Sequence, residues 1–274
     1  MSVYLVNGEI SDQVPITDRG LQYGDGVFET LTVIEGNPQL WDAHMQRLLA
    51  GCKRLHIPEP DLELIRQEVQ RLLTNNSSPS KQIIKIIITR GSGQRGYRPP
   101  DPVLPTRIIA LLPFPDYPNN YWTAGVKITI CKTRLACNRR LAGIKHLNRL
   151  EQVLAHTEWD DPEIIDGIML NNDQYVIEGT TSNLFWVNQG QIYAPDLSEC
   201  GVEGVMRNHV IKLAKELQLS TNIGHYFIED LMAADEIFLT NSVHGIWPVR
   251  QVDEYKLQPG PITQKLMSAL PMQV

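Results

Sequence analysis

Residues 82–90 (QIIKIIITR) and 106–114 (TRIIALLPF) are two β-branched, apolar runs of strand length. Runs so rich in isoleucine suit a pleated, half-buried surface. A third run, 27–34, alternates and closes on Glu35-Gly36-Asn37-Pro38, a turn sequence. A chain with these runs has to build a sheet and cover it with helices. Two helical patterns stand between them. Asp42 is the predicted cap of a helix to Leu55, with Met45, Leu48, Leu49 and Cys52 spaced three and four apart. A second helix is predicted over about 60–74, and Asn7-Gly8 predicts a hairpin over 3–10.

The stretch PFPDYPNNYW (113–122) then interrupts the pattern with three prolines. Proline fixes φ and removes a donor, so this stretch reads as a linker. The expected organisation is a smaller N-terminal α/β domain over 1–114, a linker over 115–122 and a larger C-terminal domain over 123–274. Beyond the linker the patterns predict a strand at 124–133, a helix at 146–158, and strands near 164–170, 174–178 and 183–187. A helix at 204–218 places Val205, Val210, Leu213, Ala214 and Leu217 on one face. A strand at 237–240 and a helix at 262–269 follow. The fold class is therefore α/β (α+β), with two domains and a ligand site expected in the cleft between them.

Composition excludes several function classes. The 274 residues are 42% hydrophobic and 20% charged, with net charge −6. A chain of this balance offers no cation cluster to recruit nucleic acid or an anionic membrane. Its apolar runs are too short to span a bilayer. The N-terminal residues lack a secretory pattern. The four cysteines contain no C-x-x-C, and no histidine pair has metal-ligand spacing. The expectation is a reduced, cytoplasmic protein without a metal site.

Gly91-Ser92-Gly93-Gln94-Arg95-Gly96 matches the dinucleotide motif G-x-G-x-x-G. That motif works only where a helix starts, so that its amino end can hold a pyrophosphate. Here Pro99, Pro100, Pro102 and Pro105 follow and forbid one. The segment reads instead as a mobile loop presenting Arg95 and Tyr97.

Three segments could carry chemistry. Lys145 lies between apolar Ile144 and a predicted helix start. A lysine held in an apolar pocket loses charge stability and becomes nucleophilic, as a Schiff-base lysine must. Glu178 ends a short apolar strand and enters the small, polar turn Gly179-Thr180-Thr181-Ser182. A carboxylate there can keep a pyridinium nitrogen protonated and make the ring an electron sink. Gly201-Val202-Glu203-Gly204 opens a helix whose free N–H groups suit a phosphate. Asn241, Ser242 and Arg47 could add donors and a cation. Taken singly, each also has an ordinary reading: a solvated lysine, an exposed turn glutamate, a helix cap, a strand end, a surface arginine.

The order of these pieces resembles the fold-type IV pyridoxal phosphate (PLP) enzymes. That family contains branched-chain aminotransferases, D-amino-acid aminotransferases and 4-amino-4-deoxychorismate lyases. The likeness runs through Gln22-Tyr23-Gly24-Asp25-Gly26-Val27-Phe28-Glu29-Thr30, His44 to Leu48, Arg90 to Gly93, Lys145, Glu178-Gly179 to Phe185, Gly204 to Arg207 and Pro248-Val249. Two stretches, RGSGQRGY (90–97) and LAGIKHLNRLEQVLA (141–155), are similar to the lyase branch.

The resemblance implies a D-amino-acid aminotransferase-like fold and a homodimer. Pyridoxal 5'-phosphate would be the cofactor, carried on Lys145. Glu178 would meet the pyridine nitrogen, and Thr181 would lie near the ring. Arg47, Val205, Met206, Asn241 and Ser242 would hold the phosphate. Arg95 and Tyr97 would reach a substrate carboxylate from the partner subunit, with Arg107, Arg134 and Arg139 as further candidates.

The implied reaction converts 4-amino-4-deoxychorismate to 4-aminobenzoate and pyruvate, with a D-amino-acid or branched-chain aminotransferase as the alternative. Phe28, beside the substrate, replaces the tyrosine expected of a D-amino-acid aminotransferase. Glu29 is a residue associated with the aminotransferase branches. A different class, a non-catalytic α/β protein binding anionic metabolites, gives Lys145 opposite a carboxylate no use.

Overall fold

A computed structural model describes residues 2–75 and 80–270. The chain packs as two units. The first runs to Asp116 and adds Ile144–Asn148; the second comprises Tyr117–Gly143 and Arg149 onward.

In the first unit, β1 (Val3–Val6) and β2 (Glu9–Ile10) form the hairpin predicted around Asn7-Gly8. Helix α1 (Arg19–Tyr23) leads into β3 (Gly26–Ile34), β4 (Asn37–Pro38), α2 (Trp41–Arg54) and α3 (Leu62–Asn75). Strands β5 (Lys81–Thr89) and β6 (Thr106–Pro113) are the two isoleucine-rich runs. All pair antiparallel in the order β2-β1-β6-β5-β3-β4. One face of the sheet packs Leu31, Ile84, Ile86, Ile88 and Ile109 against Met45, Leu48, Ile65 and Val69 of α2 and α3.

Two details of this unit differ from the sequence expectation. Asp42 does not cap α2. The cap position is Leu40, in the left-handed region at φ 52°, and Asp42 lies inside the first turn. There its charge still suits the helix dipole. The buried stripe of α2 also includes Trp41, His44 and Gly51, while Leu49 is only partly buried. Asp61 does cap α3, with Oδ1 accepting the Glu63 and Leu64 amides at 2.9 and 3.1 Å.

The second unit opens with α4 (Asn120–Thr123), one helical turn inside the proline-rich stretch, and β7 (Val126–Leu135). Then come α5 (Leu150–Ala155), β8 (Ile164–Asn171), β9 (Val176–Gly179), β10 (Asn183–Asn188) and β11 (Gln191–Pro195). Helix α6 (Val205–Glu216), β12 (Thr221–Gly224), α7 (Ile228–Met232), β13 (Glu236–Asn241), β14 (Gly245–Val252), β15 (Tyr255–Lys256) and α8 (Pro261–Ala269) complete it. Its nine-stranded sheet has the order β12-β11-β10-β13-β14-β7-β8-β9, with β15 on β14. The β11–β12, β14–β7 and β7–β8 pairings are parallel. Ile168, Leu184, Trp186, Leu239 and Val249 centre its core. Tyr117, Tyr121 and Trp122 set their rings edge-on to Trp247, 4.8 to 5.7 Å away. Among the described residues no helix is long and apolar enough to cross a membrane.

Candidate active site

Lys145 is held by strand pairing, not by a helix. The Phe28 amide donates to the Lys145 carbonyl at 2.9 Å, and the Leu147 amide donates to the Gly26 carbonyl at 3.0 Å. Val27 and His146 thus form an antiparallel bridge on the edge of β3. Asn148 adds a bond from Nδ2 to the Gly24 carbonyl at 3.0 Å. The helix predicted from 146 therefore starts only at Leu150, because residues 145–148 spend their hydrogen bonds on β3 and its approach. Lys145 Nζ lies 4.5 Å from the centroid of the Phe28 ring, a cation–π distance.

Side chains alternate across β3. Phe28 takes one face, and Glu29 shares the other with Val27, Leu31 and Val33 of the helix-covered core. Glu29 is 1% exposed. Its Oε1 accepts Arg47 Nε at 2.7 Å, and its Oε2 accepts Arg47 Nη2 at 2.5 Å. His44 Nδ1 lies 2.6 Å from Oε2. An ionised carboxylate only accepts, so Nδ1 carries the proton. Burial alone would raise the Glu29 carboxyl. The Arg47 charge and the bonds from Arg47 and His44 outweigh it and hold the carboxyl below its ordinary range. Burial lowers His44 despite the adjacent carboxylate, so the imidazole is neutral. Arg47 is thereby aimed by its own helix neighbour and by β3.

The Tyr-Gly-Asp-Gly motif has a structural basis. Gly24 ends α1 in the left-handed region at φ 63°. A side chain at Gly26 would strike the Ile88 carbonyl. Asp25 joins two buried arginines: Oδ2 accepts Arg19 Nε at 2.8 Å and Arg90 Nε at 2.7 Å. Arg90 also donates to the Leu55 and His56 carbonyls at the end of α2. Arg19 donates to the Gly96 and Tyr97 carbonyls, both at 3.0 Å. These bonds anchor the backbone of the glycine-rich loop at Gly96 and Tyr97. Arg95 is exposed, and Tyr97 is 85% exposed. No helix lies between β5 and β6, which excludes the dinucleotide reading.

Of the other arginines, Arg107 is paired through two 2.6 Å bonds with Glu68. Arg139 is paired with Glu199. Arg134 donates to the Cys131 and Lys132 carbonyls and to Gln174.

The second unit gathers the remaining candidates. Glu178, at the end of β9, is 4% exposed, and its Oε2 accepts the Val202 amide at 2.8 Å. Asn183 Nδ2 donates to the Val202 carbonyl at 2.8 Å. The Gly143 amide donates to the Gly201 carbonyl, and the Glu203 amide to the Gly143 carbonyl. These bonds fix residues 201–204 beside the Glu178 carboxylate and lead into α6. Gly204 caps α6 and offers no side-chain cap bond, so Val205 and Met206 stand in an uncapped first turn. A Cβ at Gly204 would fall 1.9 Å from Asn183 Oδ1, so the turn accepts only glycine.

Asp166 went unnoticed in the sequence. It is buried, and Oδ1 accepts the Thr180 amide at 2.7 Å and the Thr180 hydroxyl at 2.5 Å. Its Oδ2 accepts the Thr181 and Ser182 hydroxyls at 3.0 and 2.7 Å. It thus fixes the turn that follows Glu178. Asn241 Oδ1 accepts the Val243 and His244 amides, both at 2.9 Å, which shapes the turn through Ser242 into β14. The only signal for Asp166 was an acid inside an apolar strand.

A cofactor with a phosphate at one end and a basic ring nitrogen at the other fits this donor set. The uncapped amino end of α6 suits the phosphate. A buried carboxylate suits a protonated ring nitrogen. Among the described residues, one group could offer three metal ligands within 4.8 Å: Cys137, Asp173 and Glu199. It is largely exposed, and Glu199 is engaged by Arg139.

The fold and these residues define a class, and the comparisons agree. Residues 26–252 match the model of the amino-transferase class IV family, and the chain belongs to that family. Its cofactor is PLP. An aminodeoxychorismate lyase of Vibrio harveyi is 38% identical over 247 residues, 90% of each chain. The crystal structure of a 4-amino-4-deoxychorismate lyase from Pseudomonas aeruginosa superposes with a TM-score of 0.92 at 44% identity, covering 97% of each chain. A branched-chain amino acid aminotransferase of Escherichia coli superposes with a TM-score of 0.89 at 27% identity, covering 97% of this chain and 92% of that one.

Proposed function

We propose that this protein is a PLP-dependent lyase that converts 4-amino-4-deoxychorismate to 4-aminobenzoate and pyruvate. The observation that carries the reading is Lys145, backbone-paired to β3 with its ammonium over the Phe28 ring. Likeness to two lyases of this name supports it.

Bound PLP supplies an electron sink for the carbon that bears the substrate amine. Lys145 is the amine that carries the cofactor and the base that moves the proton at that carbon. Glu178 would keep the ring nitrogen protonated. The Val205 and Met206 amides, Arg47 and the Asn241–Ser242 turn would hold the phosphate, with Thr181 near the ring. Asn241 Nδ2 donates to the Thr181 carbonyl at 3.4 Å, which ties this turn to the one after Glu178. Loss of the enolpyruvyl group leaves an aromatic ring, so elimination is downhill once the substrate is bound and oriented.

Two residues bear on the aminotransferase alternative. Phe28 has no hydroxyl for an α-carboxylate. Glu29 faces the helix-covered core and is occupied by Arg47 and His44, so it lends that alternative no support.

The protein acts as a homodimer in which Arg95 and Tyr97 serve the partner's substrate site. Supporting this, Leu150, Val153 and Leu154 are exposed together on α5. A cytoplasmic location accords with four free cysteines.

Borohydride reduction followed by peptide mapping tests the reading. A pyridoxyl group on Lys145 is expected. A Lys145→Ala protein with undiminished turnover contradicts it.

A further inference from the structure

Lys85 lies in β5 on the sheet face that carries Phe28, with Thr30 and Ala110 as its cross-strand partners. Its Nζ is 5.3 Å from the Phe28 ring centroid, the same ring that Lys145 approaches to 4.5 Å. Lys85 is half-buried, and among the described residues no carboxylate pairs with it. A partly desolvated ammonium without a counter-ion is a ready seat for an anion. Arg107 and Arg139 are already neutralised by Glu68 and Glu199, and Arg134 is spent on carbonyls and Gln174.

The two ammonium groups approach the same Phe28 ring and therefore lie about 10 Å apart or less. The substrate of the proposed lyase has a matching layout. Its amine, which must meet the group carried on Lys145, and its ring carboxylate sit at opposite ends of a six-membered ring. We propose that Lys85 binds this ring carboxylate while Phe28 supplies the apolar surface under the ring. The inference rests on the lyase reading and adds a substrate-binding residue to it.

Equilibrium binding of 4-aminobenzoate to the holoenzyme tests it, in the wild type, Lys85→Met and Lys85→Arg. The Lys85→Met protein is expected to bind 4-aminobenzoate about tenfold more weakly or worse. KM for aminodeoxychorismate should rise in parallel with little change in kcat. Neutral 4-aminobenzamide should bind wild type and Lys85→Met alike, and Lys85→Arg should recover most of the loss. Unchanged 4-aminobenzoate binding in Lys85→Met overturns the inference, as does an equal loss for the neutral analogue. A wild type whose binding depends on Lys85 but which releases no pyruvate removes the lyase reading and leaves Lys85 as a carboxylate seat.

Discussion

Glu29 and Arg47 form a two-bond ion pair inside the first unit, with Nε–Oε1 at 2.7 Å and Nη2–Oε2 at 2.5 Å. Removing one member of a buried pair strands the other charge, at a cost of about 3–5 kcal/mol. Glu29→Ala should therefore lower stability by about that amount in urea unfolding. It should also weaken PLP retention, since Arg47 loses its aim. Unchanged stability together with a changed ratio of lyase to transaminase products would place Glu29 at the substrate instead.

The same pair sets a pH dependence. Glu29 is held below its ordinary value of 4.5 in the folded protein. A depressed carboxylate contributes stability that is present above the unfolded pKa and lost as pH falls through the folded one. Acid unfolding below about pH 4.5 should thus be shallower in Glu29→Gln than in the wild type. Parallel acid-unfolding curves would contradict this.

Asp166 gathers the hydroxyls of Thr180, Thr181 and Ser182 around one buried carboxylate. Asp166→Ala leaves several buried donors unsatisfied, each costing about 1–3 kcal/mol. The turn after Glu178 should loosen, and the cofactor should dissociate faster. Visible absorbance during dialysis measures this. A variant that keeps its colour as long as the wild type would show that the turn does not depend on Asp166.

Gly204 has an ordinary φ of −65°, so its requirement for glycine is purely steric. Gly204→Ala should weaken PLP binding through the clash with Asn183 Oδ1. Asn183→Ala removes the clashing atom together with the Val202 bond, so adding Gly204→Ala to Asn183→Ala should cost little further affinity. A further loss as large as in the single Gly204→Ala variant would mean that the α6 amino end fails for another reason.

The thiols should differ in reactivity. Burial pushes Cys52 and Cys131 up to about 12, and Cys200 is raised as well. Only Cys137 is exposed. Iodoacetamide at pH 8 should label Cys137 first, as peptide mapping would show. Early labelling of Cys52 would contradict the packing of α2.

Much of this was legible in the sequence where a local pattern and its tertiary use agree. Strand β3, the isoleucine-rich β5 and β6, α3, α6 and the 3–10 hairpin lie close to where periodicity and turn residues put them. Helix α5 was overextended because Leu147, Leu150 and Leu154 keep helical spacing. Pairing with β3 overrides that spacing at residues 145–148. Strand β12 escaped because it is short and its pairing with β11 is parallel and non-local. Strand β11, by contrast, follows β10 in a local antiparallel hairpin around Gln189-Gly190 that the turn residues could have shown. Lys145 and Glu178 could be found because their flanks are distinctive. Lys85 could not, because a lysine within a run of isoleucines reads as a strand residue until the register puts it beside Phe28. Asp166 was missed for the same reason, since its partners come from a turn fourteen to sixteen residues later.

The most direct test supplies the purified holoenzyme with 4-amino-4-deoxychorismate and follows pyruvate and 4-aminobenzoate together. Equal amounts of both products are expected from the wild type and none from Lys145→Ala. Absence of pyruvate, with a keto acid formed from D-alanine or leucine by the same protein, would contradict the lyase assignment.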